Sequence, residues 1–321
     1  METVFDEEFS ERTPESVRRE IRRTRHRKEV PLYIVAIVIG LLGFFVMMLF
    51  QDDFKDMVQE ITNALMEDGS LTEFEPEEIT AVLLGLFGIL SGVGSIVVLL
   101  FVSLGALYKT YGDQLSYSIR VSETNFPEIY AKVQEYTRLL GLKKAPDVFI
   151  QQMNGEVNAF TAWIPGRTFI QLNAEIVDVA YMEHKDFDTV FFVMAHEFGH
   201  IYLHHVQLPF IFWSMLVNLI PVVGQTIFGN LLSRAREYSA DRVGQALTGG
   251  KNERECMMLL GVGRHLYKYA DIDEYLENIT RKPAALARLA RWCINLLASH
   301  PIMPLRVAAL LDPRKKSGHL L

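Results

Sequence analysis

The order of apolar and polar positions divides the chain into two long uncharged runs near its start and a mixed segment after them. Pro31 to Phe50 is 20 residues without a charge, and Ile79 to Tyr108 is 30. As helices, both are long enough to cross a hydrocarbon layer of about 30 Å, the second with tilt or with turns to spare. From Tyr117 the pattern turns to short periodic stretches. Asn125-Phe126-Pro127 opens a helix predicted to reach Leu140, with Pro127 in its first turn and Gly141 ending it. Strand-like stretches follow at Val148 to Gln152, Asn158 to Trp163 and Thr168 to Leu172. Ile164-Pro165-Gly166-Arg167 joins the last two as a hairpin turn. Phe187, Val190, Phe191, Val193 and Met194 then recur at helical spacing, with Asp186 or Asp188 as the cap. Further helices are predicted over Glu253 to Tyr269 and Ala284 to Ala298.

Charge orients this pattern. Arg18, Arg19, Arg22, Arg23, Arg25, Arg27 and Lys28 crowd the N-terminal side of the first run, whereas Gln51 to Glu78 carries ten acids and only Lys55. The positive-inside rule puts the basic segment 1–30 in the cytoplasm, a first span at 31–50, an acidic external loop at 51–78 and a second span at 79–108. The remainder, 109–321, is then a cytoplasmic domain. The first run starts too late and is too long for a cleaved signal peptide, so it reads as an anchor. Beside a span, the arginines read as topology and anionic-lipid contacts, and a net charge of −7 gives no support to a nucleic-acid partner. Gly88 and Gly92 form a G-x-x-x-G pattern through which the second span could pair into a homo-oligomer. Cys256 and Cys293 lack C-x-x-C spacing and read as thiols of a reducing compartment.

The chemistry concentrates in His196-Glu197-Phe198-Gly199-His200. On a helix, residues i and i+4 share a face, so His196 and His200 can hold one Zn²⁺, with Glu197 beside it as a base for water. A catalytic zinc needs a third protein ligand. Glu237 and Asp241, again four apart, supply it: Glu237 as ligand, Asp241 as acceptor for the free N–H of a ligating histidine. His204, four residues past His200, could line the cleft or compete for the metal, but reads rather as a helix-end histidine near the membrane surface.

The third apolar run, Leu208 to Leu232, lies between the two halves of this site. A single crossing would put Glu237 on the opposite side of a membrane from His196. Two crossings need roughly 40 residues, more than the interval holds. The run is therefore expected to form a short hairpin, bent near Pro221 and Gly224, on the domain or in the inner leaflet.

With these motifs in place, the chain resembles the membrane-bound gluzincin metallopeptidases that include the heat-shock protease HtpX and the CAAX prenyl endoprotease. The resemblance rests on Asn158-Ala159-Phe160, the H-E-x-x-H segment, Glu237 to Asp241, and Ser299-His300-Pro301 followed by Arg306, over about Ser118 to Leu311. It implies an α+β, mainly helical, membrane-anchored zincin domain with a small sheet beside the H-E-x-x-H helix and two N-terminal transmembrane helices. It also implies one zinc per chain on His196, His200 and Glu237, with Glu197 and His300 catalytic, His300 at the oxyanion. Asn158, Ala159 and Phe160 would bind substrate backbone, and Asp241 and Arg306 would brace the metal ligands. The expected partners are unfolded or membrane polypeptides and the lipid bilayer of a bacterial-type cytoplasmic membrane. The expected activity is endoproteolysis in membrane-protein quality control. The rival readings are a processing protease of lipidated or membrane-tethered peptides, a non-catalytic zinc-stabilised interaction protein, and an enzyme whose 208–232 element covers its cleft.

Overall fold

The computed structural model describes residues 13–22, 24–49, 52–53, 56, 60, 63, 92–207, 228–280 and 285–311. The acidic segment is thus almost wholly outside the described residues. So are the first half of the second apolar run and the expected hairpin up to residue 227.

The fold is mainly helical around a small mixed sheet. Its strands are β1 (Ile119–Arg120), β2 (Asp147–Gln151), β3 (Ala159–Ile164) and β4 (Arg167–Asn173), in the spatial order β1-β2-β4-β3. The expected hairpin is present: β3 and β4 pair antiparallel, with Ile164 opposite Arg167. Gly166 takes the positive φ (82°) that the turn requires. β2 and β4 are parallel, and β1 adds antiparallel on the far side. Alternation sorts the side chains between two faces. Val148, Ile150, Ile170 and Leu172 enter the main core, while Phe149, Phe169 and Phe160 form a second apolar layer with Leu107 and Tyr111.

Helices cover both faces. On the second-layer side lies the C-terminal half of α3 (Gly92–Tyr117). α1 (Pro14–Ile21) and α2 (Glu29–Leu49) precede it in the chain. On the core side lies α4 (Pro127–Leu140), ended as expected at Gly141 with φ 66°. A short α5 (Ala174–Asp178) passes through a π-helical turn (Val179–Glu183) toward α6 (Phe187–Tyr202), the helix of the H-E-x-x-H segment. α7 (Asn230–Thr248) carries Glu237 and Asp241. Among the described residues, α8 (Glu253–Val262), α9 (Ile272–Thr280), α10 (Ala285–Leu297) and α11 (Met303–Leu311) follow. α8 stops seven residues short of the helix expected to reach Tyr269. Gly263, at φ 83°, breaks it, and Tyr267–Tyr269 is a separate 3₁₀ turn.

α6 and α7 are the heart of the domain. A Cβ on Gly199 would stand 2.9 Å from the Cα of Ala240, and one on Gly244 would stand 3.3 Å from the backbone N of His196. These two glycines let the helix backbones approach closely enough for side chains of both to converge on one point. Phe192, Phe198 and Tyr136 are fully buried around the pair, each worth about 1.5–3 kcal/mol of apolar burial. At the start of α6, Asp186 is the cap. Its carboxylate accepts from the backbone N–H of Thr189 (3.0 Å), Asn252 (2.7 Å), Tyr267 (2.9 Å) and Lys268 (2.8 Å).

The described residues of the basic N-terminal segment include α1, which packs on this domain. Val17 and Ile21 of α1 enter the main core, and Arg18 donates to the carbonyl of Leu139 (3.2 Å). Among the described residues, no helix is long and apolar enough to cross a membrane. The two expected transmembrane helices are therefore not established by the fold. What the fold does show is that α2 turns Val30, Ile34, Val38, Leu41, Leu42, Phe45 and Leu49 outward, each about half exposed or more. α3 does the same with Phe101 and Val102, and runs nine residues past Tyr108.

Candidate metal centre

His196 and His200, one turn apart on α6, bring their Nε2 atoms to 3.1 Å. Glu237, from α7, places Oε2 3.5 Å from His196 Nε2 and Oε1 3.5 Å from His200 Nε2. A tetrahedral zinc with bonds of roughly 2.0–2.1 Å holds its donor atoms about 3.3 Å apart. The histidine nitrogens are near that spacing, each has one Glu237 oxygen at 3.5 Å, and one donor atom from each of the three residues lies within 4.8 Å of the others. Charge points the same way. Glu197, Glu237 and Asp241 are buried together, with buried Arg306 paired to Asp241 and buried Arg236 acting on Glu237. Carboxylates gathered in this way favour a cation between the two helices.

Asp241 is set by Arg306, whose Nε and Nη2 donate to its two oxygens at 2.9 and 2.6 Å. Asp241 Oδ1 also lies 2.8 Å from His196 Nδ1, yet off the line of a straight hydrogen bond, so the contact is electrostatic rather than a well-aligned donation. Burial pushes the Asp241 carboxyl up, but the charge and hydrogen bonds of Arg306 outweigh this and hold it down at about 2. The same contest operates at Glu237, where burial is outweighed by hydrogen bonds from His196, His200 and His300, and the carboxyl stays well below its usual range. For His196, burial disfavours charge, while Asp241 and Glu237 draw a positive charge onto the ring and raise its value to about 10. The field that would hold a proton there is the field a metal cation would meet.

Glu197 is buried beside the ligands, and its Oε2 accepts from the Thr161 hydroxyl at 2.6 Å. Thr161 was not singled out in the sequence; it lies on β3, two residues after Ala159 and so on the same face. β3 is an edge strand of the sheet and packs against α6. A cavity of about 440 Å³ runs between them, lined by Asn158, Ala159, Phe160, Thr161, the three ligand residues, Glu197, His300 and Arg306, among others. Asn158 is exposed at its rim, with its Nδ2 on Glu156 (3.0 Å) and its Oδ1 accepting from the N–H of Ala159 (2.9 Å). His300 is largely exposed and sets Nδ1 3.1 Å from Glu237 Oε2. All the residues expected at the site therefore meet in one place.

At the end of α6 the outcome differs from the simple i+4 rule. His204 takes φ 62° and is exposed. That left-handed residue turns the chain so that His205, not His204, folds back: its ring Nδ1 lies 2.9 Å from Nδ1 of His200. The two cysteines are free, and Cys256 is a buried wall of the cavity.

Residues 123–314 match peptidase family M48. The chain belongs to that family. The matched region includes β3, both ligand helices and His300, so the resemblance drawn from the motifs holds. No curated protein and no solved structure matches the chain. As an M48 member the chain is a peptidase of a zinc-dependent family. Among its described residues, His196, His200 and Glu237 are the group arranged to hold a metal ion.

Proposed function

We propose that this M48 peptidase is a membrane-anchored zinc endopeptidase that cleaves unfolded or misassembled membrane polypeptides. The observation that carries the reading is the convergence of three metal donors and a buried, unligated carboxylate, Glu197, at the side of an edge strand. His196, His200 and Glu237 would hold the ion. When bound, Zn²⁺ would supply Lewis acidity and bring the pKa of a water toward neutrality.

The chain's own residues do the rest. Glu197 accepts the proton from the attacking water and returns it to the leaving amine. Thr161 holds one of its oxygens, so the other is free to receive the proton. With Nδ1 engaged by Glu237, His300 would present Nε2 toward the developing oxyanion. The open edge of β3 offers backbone N–H and C=O groups to an extended peptide, with Asn158 at the start of the register. Recognition through backbone tolerates many sequences, which suits a quality-control role.

The outward apolar rows of α2 and α3, beside the basic segment, support anchoring with the active domain on the cytoplasmic side. The small number of apolar runs argues against an enclosed chamber for lipidated tails. An intact Glu197 argues against a purely structural zinc, which needs ligands but no base.

The deciding experiment compares the wild type with Glu197→Gln, full length in detergent, for zinc content and casein cleavage. Both are expected to bind about one zinc per chain, with cleavage only by the wild type. Zinc bound by both with cleavage by neither would leave a structural site, and zinc in neither would remove the ligand assignment.

A further inference from the structure

Each ligating histidine needs its second ring nitrogen fixed, and the two solve this differently. Asp241 stands against Nδ1 of His196. Against Nδ1 of His200 stands another histidine, His205, at 2.9 Å. His205 is 3% exposed, and its Nε2 reaches Oε1 of Glu29, also 3% exposed, at 3.2 Å. Glu29 is the first residue of α2, 176 positions away in sequence. It is itself held by Arg25 on Oε1 and by the hydroxyl of Ser239 on Oε2. Ser239 lies on α7 between Glu237 and Asp241, and also accepts the backbone N–H of His26 (2.9 Å). Arg25 Nη2 donates to the carbonyl of Leu203 at the end of α6 (3.1 Å).

Proton positions along this chain are forced. For Nε2 of His200 to offer its lone pair to a metal, the ring proton must be on Nδ1. It can then only be donated to Nδ1 of His205, which must be bare. The proton of His205 is therefore on Nε2, pointing at the Glu29 carboxylate. A single tautomer of each ring satisfies every contact.

We infer that His205 and Glu29 are positioning residues of the metal centre, and that the segment 25–29, ahead of the first apolar run, forms its back wall. The inference rests on the zinc reading above and adds that the His200 ligand is oriented through His205 by a carboxylate from outside the residues that match the family. Neither residue touches substrate; both act through His200. Loss of such a partner costs a metal site about 10- to 100-fold in affinity.

The test uses the full-length protein in detergent as wild type, His205→Phe and His205→Asn. Phenylalanine fills the ring's space without an acceptor, and asparagine can put Oδ1 where Nδ1 was. Zinc affinity is read by chelator competition. The expected result is a loss of about 10- to 100-fold for His205→Phe, largely restored in His205→Asn. The cobalt-loaded proteins give a second reading. The paramagnetically shifted ring N–H signal of His200 should exchange with water faster in His205→Phe and slow again in His205→Asn. Equal affinity in all three proteins would overturn the inference. Equal loss in both variants would reduce His205 to a packing residue and overturn it too. A wild type that binds no zinc would instead bring down the metal reading on which it stands.

Discussion

The metal ligands are the part of the site most readable in the sequence, because a helix imposes the spacing that the chemistry needs. His196 with His200 and Glu237 with Asp241 are each four apart, and each pair is presented from one helix face. Thr161, His205 and Glu29 were not legible. Their contacts reach from another strand or another helix, and the left-handed residue His204 moves the inward histidine to the fifth position, where an i+4 search does not look. Thr161 supplies a test at this scale. Its hydroxyl donates to a charged acceptor, a bond worth about 1.5–3 kcal/mol. Thr161→Val should lower kcat by roughly ten- to a hundredfold with KM little changed, since the lost contact orients the base rather than the peptide. An unchanged kcat in steady-state assays would remove Thr161 from the catalytic arrangement.

At the scale of elements, two features of α6 can be weighed by magnitude. Gly199→Ala would gain about 1 kcal/mol of helix propensity. It would also drive a methyl to 2.9 Å from the α7 backbone, an overpacking that costs about 1–3 kcal/mol. The clash is against main chain, so it wins. The expected outcome is a lower urea midpoint and weaker zinc binding as the two ligand helices part. The Asp186 cap makes a second case. Burial raises its carboxyl, but the hydrogen bonds of Lys268, Thr189 and Tyr267 bring it to about 2, against 3.8 as the ordinary value. A depressed value means stabilisation that is fully present above 3.8 and lost as pH falls through 2. Its size is about 2 kcal/mol. Asp186→Asn should therefore be less stable than wild type by about that amount at pH 5 in urea unfolding, with the gap closing toward pH 2. Element boundaries were less readable than their types. Gly263 cut one expected helix short, whereas the helix from Pro127 to Gly141 ended where its terminal signals said it would.

For the whole molecule, the passage from long apolar runs to a mixed helix-and-strand domain was visible as a change of periodicity near Tyr117, but the docking of α1 and of residues 24–29 onto the domain was not. Seven basic residues between Arg18 and Lys28 masked the apolar pair Val17 and Ile21 that ties α1 to the core. The proposed topology predicts that the protein stays in the membrane pellet through alkaline carbonate. It also predicts that a cysteine placed at Ser70 is labelled by an impermeant thiol reagent from outside intact cells, while one at Ser317 is not. Labelling at Ser317 alone would invert the orientation. The contact of Glu29 with His205 has a consequence for a chain that is nicked. A cut in the stretch between residues 50 and 92 would leave His196, His200 and Glu237 on the piece that keeps α3, and Glu29, Val17 and Ile21 on the other. Parting of the two pieces would then weaken the metal centre while every bond within the peptidase domain stayed intact.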